Sequence, residues 1–245
     1  MDLADDPAAR RREWFRYYSE KRIGHQWFQV HLLAGLDDVQ KVIEVGPNLG
    51  LVTALLLNAG FEVATLDRVA PRHGLAGVLH IEADLREVAP ETLAGFDCLI
   101  CCETLEHLPW DEVDGVLAKF AASAVPHLLL SVPYQGFQLD ARIYLNAHRL
   151  RQYFAWKKFN FLRRFRPDDD PQGHHWEIGY RGHSLAAFEA KLENAGLAIE
   201  RRDFTSPTRL GLLPAGATQT TPATPLAFLI KGAPNRKNAK NGEKW

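Results

Sequence analysis

The sequence is poor in cysteine, nearly neutral in charge and free of any long apolar run. A formal net charge of −1 gives no global attraction to nucleic acid or to an anionic membrane, so any such preference must be local. The absence of an apolar segment long enough for a signal peptide or a membrane span predicts a cytosolic (cytoplasmic) protein. The three cysteines, Cys98, Cys101 and Cys102, crowd one apolar segment, where reduced core side chains are expected.

Hydrophobic residues make up 46% of the 245 residues, which is enough to bury the core of one substantial domain. Strand-like and helix-like patterns alternate along the chain, and this alternation predicts an α/β fold with a parallel sheet. The predicted strands lie near residues 41–46, 61–67, 78–81, 96–102 and 126–132. We also predict an N-terminal helical region within residues 1–36, a main domain over residues 37–232 and a disordered polar tail at residues 233–245.

The last part of the main domain carries signals for one helix and two strands. Ser184 is typical of an N-cap before an amphipathic helix, and Gly196 is typical of a residue that ends one. Apolar segments at residues 197–205 and 225–231 predict two strands joined by a long loop rich in proline, glycine and threonine. Such a pair is expected to form an antiparallel hairpin at the edge of the sheet.

The most informative segment is residues 42–50, where an apolar strand containing Glu44 leads into a glycine-spaced turn before helical character resumes at Leu51. Glycine lets the backbone approach a ligand closely, and the helix N-terminus presents unpaired N–H groups. The spacing Gly46-x-x-x-Gly50 differs from the fingerprint of dinucleotide-binding proteins. This segment predicts a site for a nucleotide-like cofactor.

The strands that follow also end in acidic residues. Asp67 closes the second strand roughly 20 residues beyond the first loop glycine, where doubly wound folds hold a ribose through its hydroxyls. Asp84 follows the third strand, and Glu103 follows the fourth. Asp67 is therefore the candidate ribose ligand.

These segments, in their order along the chain, resemble class I S-adenosylmethionine-dependent methyltransferases over about residues 24–232. Glu44-x-Gly46-x-x-x-Gly50 is similar to their first motif, Asp84-Leu85 to their adenine-contacting pair, and residues 103–108 to the signature after their fourth strand. The resemblance implies a doubly wound, Rossmann-like sheet of seven strands, mostly parallel with an antiparallel last strand. It implies S-adenosylmethionine as the cofactor, held by Glu44, Gly46, Asn48, Gly50, Asp67, Asp84, Leu85 and Glu103.

Residues 134–182 form an insertion after the fifth strand, and an insertion at that point lies over the ligand edge of a doubly wound sheet. We therefore expect a substrate cap. Its middle, residues 148–166, interleaves basic and aromatic side chains and leaves three interpretations open. They are a helix with its aromatic face on the core, a surface that reads anions or stacks on bases, and an interfacial helix that meets a lipid-linked acceptor. The acidic run at residues 168–170 weakens the nucleic-acid interpretation.

The end of the cap, residues 173–182, contains a His-x-Trp-Glu-Ile-Gly element that resembles one in methyltransferases of uncertain acceptor, many of them in glycan or secondary-metabolite pathways. His174 or His175, like His107 after the fourth strand, is a candidate base for an acceptor hydroxyl, because imidazole moves protons near neutral pH. Alternatively, one histidine and Trp176 pin the cap to the sheet. The predicted acceptor-pocket residues are Tyr134, Tyr144 and Trp176.

The cluster Glu103-x-x-Glu106-His107 supports a rival interpretation. It is similar to a cluster with which small-RNA 3′-terminal 2′-O-methyltransferases bind a divalent metal, and His174 stands in for their later histidine. Two carboxylates and two imidazoles suit an ion that lowers the pKa of ribose hydroxyls. The same signature also occurs in metal-free methyltransferases, so no metal is favoured. The alternative ligand set is Glu103, Glu106, His107 and His174.

The sequence thus predicts a methyltransferase that uses S-adenosylmethionine and acts at oxygen on a small-molecule or glycan-type acceptor. Methyl transfer from a sulfonium is an in-line displacement, so the protein mainly aligns the acceptor and removes a proton. One alternative is a metal-dependent RNA 3′-terminal 2′-O-methyltransferase. Another is a non-catalytic scaffold or partner subunit that binds S-adenosylmethionine. The sequence chooses neither the acceptor nor the oligomeric state.

Overall fold

Two helices precede the sheet, α1 (Pro7–Tyr17) and α2 (Glu20–Leu32), which confirms the predicted N-terminal helices. The Asp6 carboxylate and the Ser19 hydroxyl each accept a backbone N–H at the start of these helices, so both helices begin at a polar cap. No helix in the described part of the chain is long and apolar enough to cross a membrane. The computed structural model describes residues 6–69, 77–135, 138–146, 149–157, 163–170, 173–204 and 224–231.

A seven-stranded sheet forms the centre of the fold. The strands of the protein are β1 (Lys41–Val45), β2 (Glu62–Asp67), β3 (Leu79–Glu82), β4 (Cys98–Cys102), β5 (His127–Tyr134), β6 (Gln138–Asn146), β7 (Arg149–Lys157), β8 (Ala198–Phe204) and β9 (Thr224–Lys231). The central sheet has the order β3-β2-β1-β4-β5-β9-β8. Its first five strands pair in parallel, and β9 runs antiparallel to both β5 and β8. This topology confirms the predicted mostly parallel, Rossmann-like sheet.

The remaining helices cover both faces of the sheet. They are α3 (Leu51–Asn58), α4 (Pro90–Leu93), α5 (Val113–Ala122) and α6 (Leu185–Asn194), with short 3₁₀ turns at Leu33–Gly35, Leu105–His107 and Pro167–Asp169. The Ser184 hydroxyl accepts the Ala187 N–H at the start of α6, and Gly196 follows its end with φ +81°, as predicted. The fold therefore places α5 and α6 against one face of the sheet, and α2 and α3 against the other.

The cysteines divide between the two faces as strand alternation predicts. Cys101 packs in the core beneath α5 and α6, whereas Cys98 and Cys102 lie with the core beneath α2 and α3. All three are free thiols, and burial raises the pKa of Cys98 to about 12. Cys98 and Cys101 are fully buried, which agrees with the expectation of core side chains.

Residues 149–157, in the middle of the insertion, form a β-strand, so the two helical interpretations of this segment are wrong there. Strands β6 and β7 pair antiparallel in a separate two-stranded sheet, with Gln138 opposite Lys157 and Asn146 opposite Arg149. Leu150, Phe154 and Trp156 recur at even spacing in this segment, and a period of two suits a strand rather than a helix. Residues 158–162 lie outside the described residues, as do the predicted loop at 205–223 and the predicted tail at 233–245.

The end of the insertion, residues 173–183, runs along the end of β5, and we call it the strap. The Ile178 N–H donates to the Pro133 carbonyl at 3.0 Å, and the Gln135 N–H donates to the Ile178 carbonyl at 2.7 Å. At the end of β5, strand β9 pairs with one edge of β5 as far as Tyr134. The strap pairs with the opposite edge, beyond the point where β4 ends opposite Ser131. A Cβ on Gly179, whose φ is +104°, would lie 2.9 Å from the Gln135 carbonyl, so this contact requires glycine.

Candidate active site

The loop after β1, residues 46–50, packs against the turn that follows β4. Gly46 has φ +71°, and a Cβ there would lie 2.6 Å from the Thr104 hydroxyl oxygen. The same hydroxyl lies 3.4 Å from the Val45 carbonyl and 3.1 Å from the Cys102 carbonyl, to which it can donate. Glycine at position 46 thus lets the two connections close into one surface at the carboxyl ends of β1 and β4.

Glu44 is a buried carboxylate inside this surface. Its side chain accepts a hydrogen bond from the Thr53 hydroxyl at 2.5 Å, and the residue is 4% exposed. Burial raises its pKa to about 7, because removal from water disfavours the ionised form. A cationic group of a bound ligand would restore the ionised state.

We expect Glu44→Gln to stabilise the free protein more at pH 8 than at pH 5, by about 2 kcal/mol. The pKa of Glu44 is about 7 in the folded protein and 4.5 for an ordinary glutamate, so the folded protein holds the proton more tightly than the unfolded chain does. The ionised Glu44 carboxylate therefore lowers the free energy of unfolding very little below pH 4.5, and its destabilising effect is complete above about pH 7. Chemical denaturation at both pH values measures this difference. Glu62→Gln, at the exposed start of β2, is the control, and a pH-independent effect at position 44 would contradict the assignment.

The two predicted contacts for ribose and adenine also lie at this edge. Asp67, at the end of β2, accepts the Arg68 N–H at 2.6 Å. The Asp84 carboxylate, just after β3, accepts hydrogen bonds from Arg86 Nε at 3.0 Å and from Arg86 Nη2 at 2.7 Å. These hydrogen bonds lower the pKa of Asp84 to about 2. Leu85 is buried in the core. The structure places these residues where the sequence expected them, and their contacts with a donor stay predictions.

Glu103 follows β4 in a strained backbone conformation, with φ +51°. Its carboxylate accepts a hydrogen bond from the Ser131 hydroxyl at 3.0 Å, and His25 Nε2 of α2 lies 3.9 Å from the same oxygen. Burial raises the pKa of Glu103 to about 7. The N-terminal helix α2 therefore reaches the carboxyl edge of the sheet, which the sequence did not indicate.

A cluster of acids and imidazoles forms where the strap meets the turn after β4; we call Glu106, His107, Asp170, His174 and Glu177 the histidine cluster. His174 is 6% exposed, and its Nδ1 lies 3.1 Å from Glu177 Oε1 and 3.5 Å from Asp170 Oδ2. Its Nε2 lies 4.0 Å from Glu106 Oε1. Nδ1 can thus donate to the Glu177 carboxylate, a contact that orients the ring.

Glu106 is fully buried, and neither of its carboxylate oxygens has a hydrogen-bond partner among the residues described. Burial raises its pKa well above the ordinary value. A buried, unpaired carboxyl group is costly unless it is protonated or meets a cation. The Glu106 carboxyl group is therefore either protonated or able to bind a cation.

His107 is the exposed member of the cluster. Its Nδ1 lies 3.3 Å from the Gly173 carbonyl, an arrangement in which Nδ1 donates and Nε2 is left as a proton acceptor. The ring meets that of His174 edge-on at a centroid distance of 5.0 Å. Desolvation, followed by the neighbouring His174, lowers the pKa of His107, which favours the neutral base.

The other predicted acceptor residues have different surroundings. The His175 ring is exposed, and its backbone N–H donates to the Glu106 carbonyl at 2.7 Å. Trp176 is fully buried, and its indole N–H donates to the Leu108 carbonyl at 3.0 Å, so it anchors the strap and has no exposed surface for an acceptor. Tyr134 lies partly buried at the end of β5. Tyr144 lies within β6, and its side chain is outside what the structure describes.

Possible metal ligands occur in two overlapping groups. Glu106, His107 and His174 bring their ligand atoms within 4.8 Å of one another, and Asp170, His174 and Glu177 do the same. The unpaired oxygens of Glu106 make the first group the better fit for a divalent cation. Glu103, a member of the predicted alternative set, belongs to neither group.

Sequence reasoning missed three residues of this site: His25, Asp170 and Glu177. Glu177 lies three residues after His174, a spacing that brings a carboxylate back to Nδ1 in this turn. Asp170 belongs to an acidic run that was weighed only as a neutralising charge. The position of His25 depends on how α2 packs, and it had no local signal beyond helical spacing.

No protein-family model matches this chain. Three solved structures, each with S-adenosylhomocysteine bound, share its architecture. The N-methyltransferase NodS of Bradyrhizobium japonicum WM9 matches with a TM-score of 0.57 at 12% identity over 94% of each chain. The 1,6-didemethyltoxoflavin-N1-methyltransferase of Burkholderia thailandensis matches with 0.56 at 17% identity, covering 94% of this chain and 87% of that one. The chain has the fold of S-adenosylmethionine-dependent methyltransferases.

The third structure, magnesium protoporphyrin IX methyltransferase of Synechocystis PCC 6803, matches with a TM-score of 0.55 at 18% identity over 94% of this chain and 96% of that one. At the level of sequence, the Ubiquinone biosynthesis O-methyltransferase of Bordetella avium (strain 197N) is 30% identical over 110 residues. That match spans 41% of this chain and 44% of the relative. These similarities identify the fold. The acceptor has to be inferred from the chemistry of the site, because one fold serves many acceptors.

Proposed function

We propose that this chain is a methyltransferase that uses S-adenosylmethionine and methylates an oxygen of a small-molecule or glycan-type acceptor. The donor would bind across the carboxyl edge of the sheet, along residues 46–50, with its ribose at Asp67 and its adenine near Asp84. The fold, the glycine at the close contact with Thr104 and the acidic strand ends all support this placement.

One observation carries the proposal of acceptor chemistry: His107 is an exposed imidazole whose Nδ1 meets a carbonyl and whose Nε2 is left to accept a proton. His107 lies three positions after Thr104, whose side chain packs against Gly46 in the loop after β1, residues 46–50, which we call the donor loop. His174, oriented by Glu177, backs the ring. A neutral imidazole beside the methyl donor can remove the hydroxyl proton while the oxygen attacks the methyl carbon.

An oxygen acceptor is proposed for a chemical reason. An alcohol or phenol must lose its proton as it is methylated, and the histidine cluster offers a base for that proton. The Bordetella avium relative is named as an O-methyltransferase, which agrees with this choice. Two of the structural neighbours are named as N-methyltransferases, so the fold by itself does not select oxygen.

Two measurements test the proposal in sequence. Calorimetry with S-adenosylhomocysteine tests the donor site, and a methyl-release screen over glycans, phenols and RNA then identifies the acceptor. Failure to bind S-adenosylhomocysteine would exclude the methyltransferase. Donor binding without release from any acceptor class would favour the third candidate, a non-catalytic scaffold or partner subunit.

The second candidate, a metal-assisted RNA 3′-terminal 2′-O-methyltransferase, is supported by the convergence of Glu106, His107 and His174. In it these side chains would hold a divalent cation, which lowers the pKa of the terminal ribose hydroxyls. Glu103 would take no part as a ligand. The near-neutral charge of the chain gives no general attraction to RNA, so the first candidate is preferred.

We expect turnover of the true acceptor to persist in excess chelator, because His107 can act as a base without a metal. The assay compares methyl release with and without a chelator, after exhaustive dialysis. Loss of activity that Mn²⁺ or Mg²⁺ restores would make the metal-assisted candidate the leading one. In that case Glu106→Gln should abolish the metal response, since it removes a charged ligand oxygen and keeps the shape of the side chain.

A further inference from the structure

A group of exposed arginines lies where the chain approaches the strap. Arg163 and Arg164 precede the 3₁₀ turn at residues 167–169, and Arg181 lies within the strap; we call these three residues the arginine patch. All three side chains are exposed. Arg166 and Asp168, which follow and are also exposed, carry opposite charges. The whole chain has a formal net charge of −1, so the positive charge of the patch is a local feature.

Two contacts hold the arginine patch together. The Arg181 N–H donates to the Arg163 carbonyl at 2.8 Å. Two residues farther on, the Phe165 ring meets the Tyr180 ring edge-on at a centroid distance of 5.1 Å. Residues 163–165 therefore pack beside residues 180–181, and guanidinium groups from two separate segments can converge on one ligand.

Tyr180 connects the arginine patch with the histidine cluster. Burial raises the pKa of the Tyr180 hydroxyl, and the charges of Glu177, Arg163 and Asp170 also act on this group. Glu177 and Asp170 belong to the histidine cluster, where both carboxylates lie close to His174 Nδ1. The patch thus borders the cluster that contains the proposed base.

The acids of the cluster are engaged by His174 and leave the arginine charges available. Glu177 Oε1 lies 3.1 Å from His174 Nδ1, and Asp170 Oδ2 accepts the His174 backbone N–H at 2.8 Å. Among the described residues, no carboxylate forms an ion pair with the arginine patch. Guanidinium groups bind phosphate and carboxylate through paired N–H donors. An exposed group of them beside a reactive site suits an oxyanion that the acceptor brings.

We propose that the arginine patch binds a phosphate or carboxylate group of a small-molecule or glycan-type acceptor, and so places the acceptor hydroxyl at His107. The inference rests on the proposed function and narrows its acceptor to an anionic one. In the transfer, the hydroxyl oxygen bonds to the methyl carbon, the bond from that carbon to sulfur breaks, and its electron pair stays on sulfur. The hydroxyl proton passes to His107 Nε2. The anionic group is unchanged, so the arginines act in recognition.

Calorimetry on the full chain saturated with S-adenosylhomocysteine measures binding of two probes, pyrophosphate and citrate, at constant ionic strength. The wild type should bind at least one of them, and the tighter probe identifies phosphate or carboxylate as the preferred group. Arg163→Gln/Arg181→Gln should weaken this binding about tenfold or more, because hydrogen bonds to a charged group are lost. The matched control is Arg10→Gln/Arg11→Gln on α1, which removes the same charge from exposed side chains and should leave probe binding unchanged.

An NMR titration locates the bound probe relative to His107. A nearby anion favours the imidazolium form, so the probe should raise the pKa of His107 in the wild type and not in Arg163→Gln/Arg181→Gln. The ring signal of His107 is identified by its loss in His107→Ala. A probe that binds without changing this titration would place the patch outside the acceptor site and overturn the inference.

The remaining outcomes separate the inference from the function on which it rests. If S-adenosylhomocysteine binds and neither probe does, or if the control variant weakens probe binding as much as the patch variant, the inference is wrong and the donor site stands. If a short single-stranded RNA binds through the patch more tightly than both probes, the small-molecule class of acceptor is wrong. If the wild type does not bind S-adenosylhomocysteine, the methyltransferase proposal fails and the inference fails with it.

Discussion

His107→Ala is expected to lower kcat by about 100-fold or more while leaving the affinity for S-adenosylhomocysteine near that of the wild type. The variant removes the exposed imidazole whose Nδ1 meets the Gly173 carbonyl and whose Nε2 is left to accept a proton, and residues 46–50 of the donor loop are untouched. Turnover of the acceptor found in the screen measures the first quantity, and calorimetry measures the second. Glu177→Gln should lower kcat less, because it only loosens the His174 ring that backs the base.

The pH profile of this reaction supplies a second readout. A histidine base works only as the neutral imidazole, and the pKa of His107 is lowered in the folded protein. The wild-type rate should therefore hold to a pH below the ordinary pKa of histidine and fall as the pH drops further, and His107→Ala should lose this acidic limb.

The remaining histidines test the assignment. His174→Ala should cost about tenfold in turnover through loss of support for His107. His175→Ala should cost little, because the His175 ring is exposed and does not support the His107 ring. Normal turnover in His107→Ala together with a collapse in His174→Ala would move the base to His174. Normal turnover in both would end the case for histidine catalysis.

Trp176→Ala is expected to lower the free energy of unfolding by about 3–5 kcal/mol, the usual cost of emptying the site of a large buried aromatic side chain. Trp176 is among the largest fully buried side chains and meets Trp110 at 4.8 Å and Phe188 at 5.7 Å between ring centroids. The change also leaves the Leu108 carbonyl without its donor. Chemical denaturation measures the effect.

Trp27→Ala is the matched control, because Trp27 is 41% exposed and should cost about 1 kcal/mol or less. Trp176→Phe keeps most of the apolar volume and should fall between the two. If Trp176→Ala instead keeps full stability and loses only acceptor affinity, the original prediction of an acceptor-pocket residue is right, and its role as an anchor of the strap is wrong.

The donor edge could be predicted from the sequence because its signals are local. A strand, a glycine turn and a helix start are each written within a few residues, and Asp67, Asp84 and Glu103 mark the ends of successive strands. The rule that ligands bind at the carboxyl ends of parallel strands then brings these residues together without any knowledge of side-chain packing.

The secondary structure of the insertion could not be predicted in the same way. Aromatic residues at 153, 154, 156 and 159 suit either period in a short segment, and the helix interpretation was wrong for β7. Strand β7 is stabilised by its pairing with β6 in a separate hairpin, and this pairing cannot be predicted from the sequence of either strand alone.

The sequence by itself determined the sheet, the donor loop and the candidate histidines, because repeating apolar patterns and glycine turns are local properties of the chain. Only the tertiary structure decided which histidine is exposed, that Glu177 orients His174, and that His25 reaches Glu103. The physical reason is that these contacts depend on edges and faces left open by other elements. The strap can dock on β5 because β4 ends early and β9 fills the opposite edge, and α2 can reach Glu103 because it packs on α3.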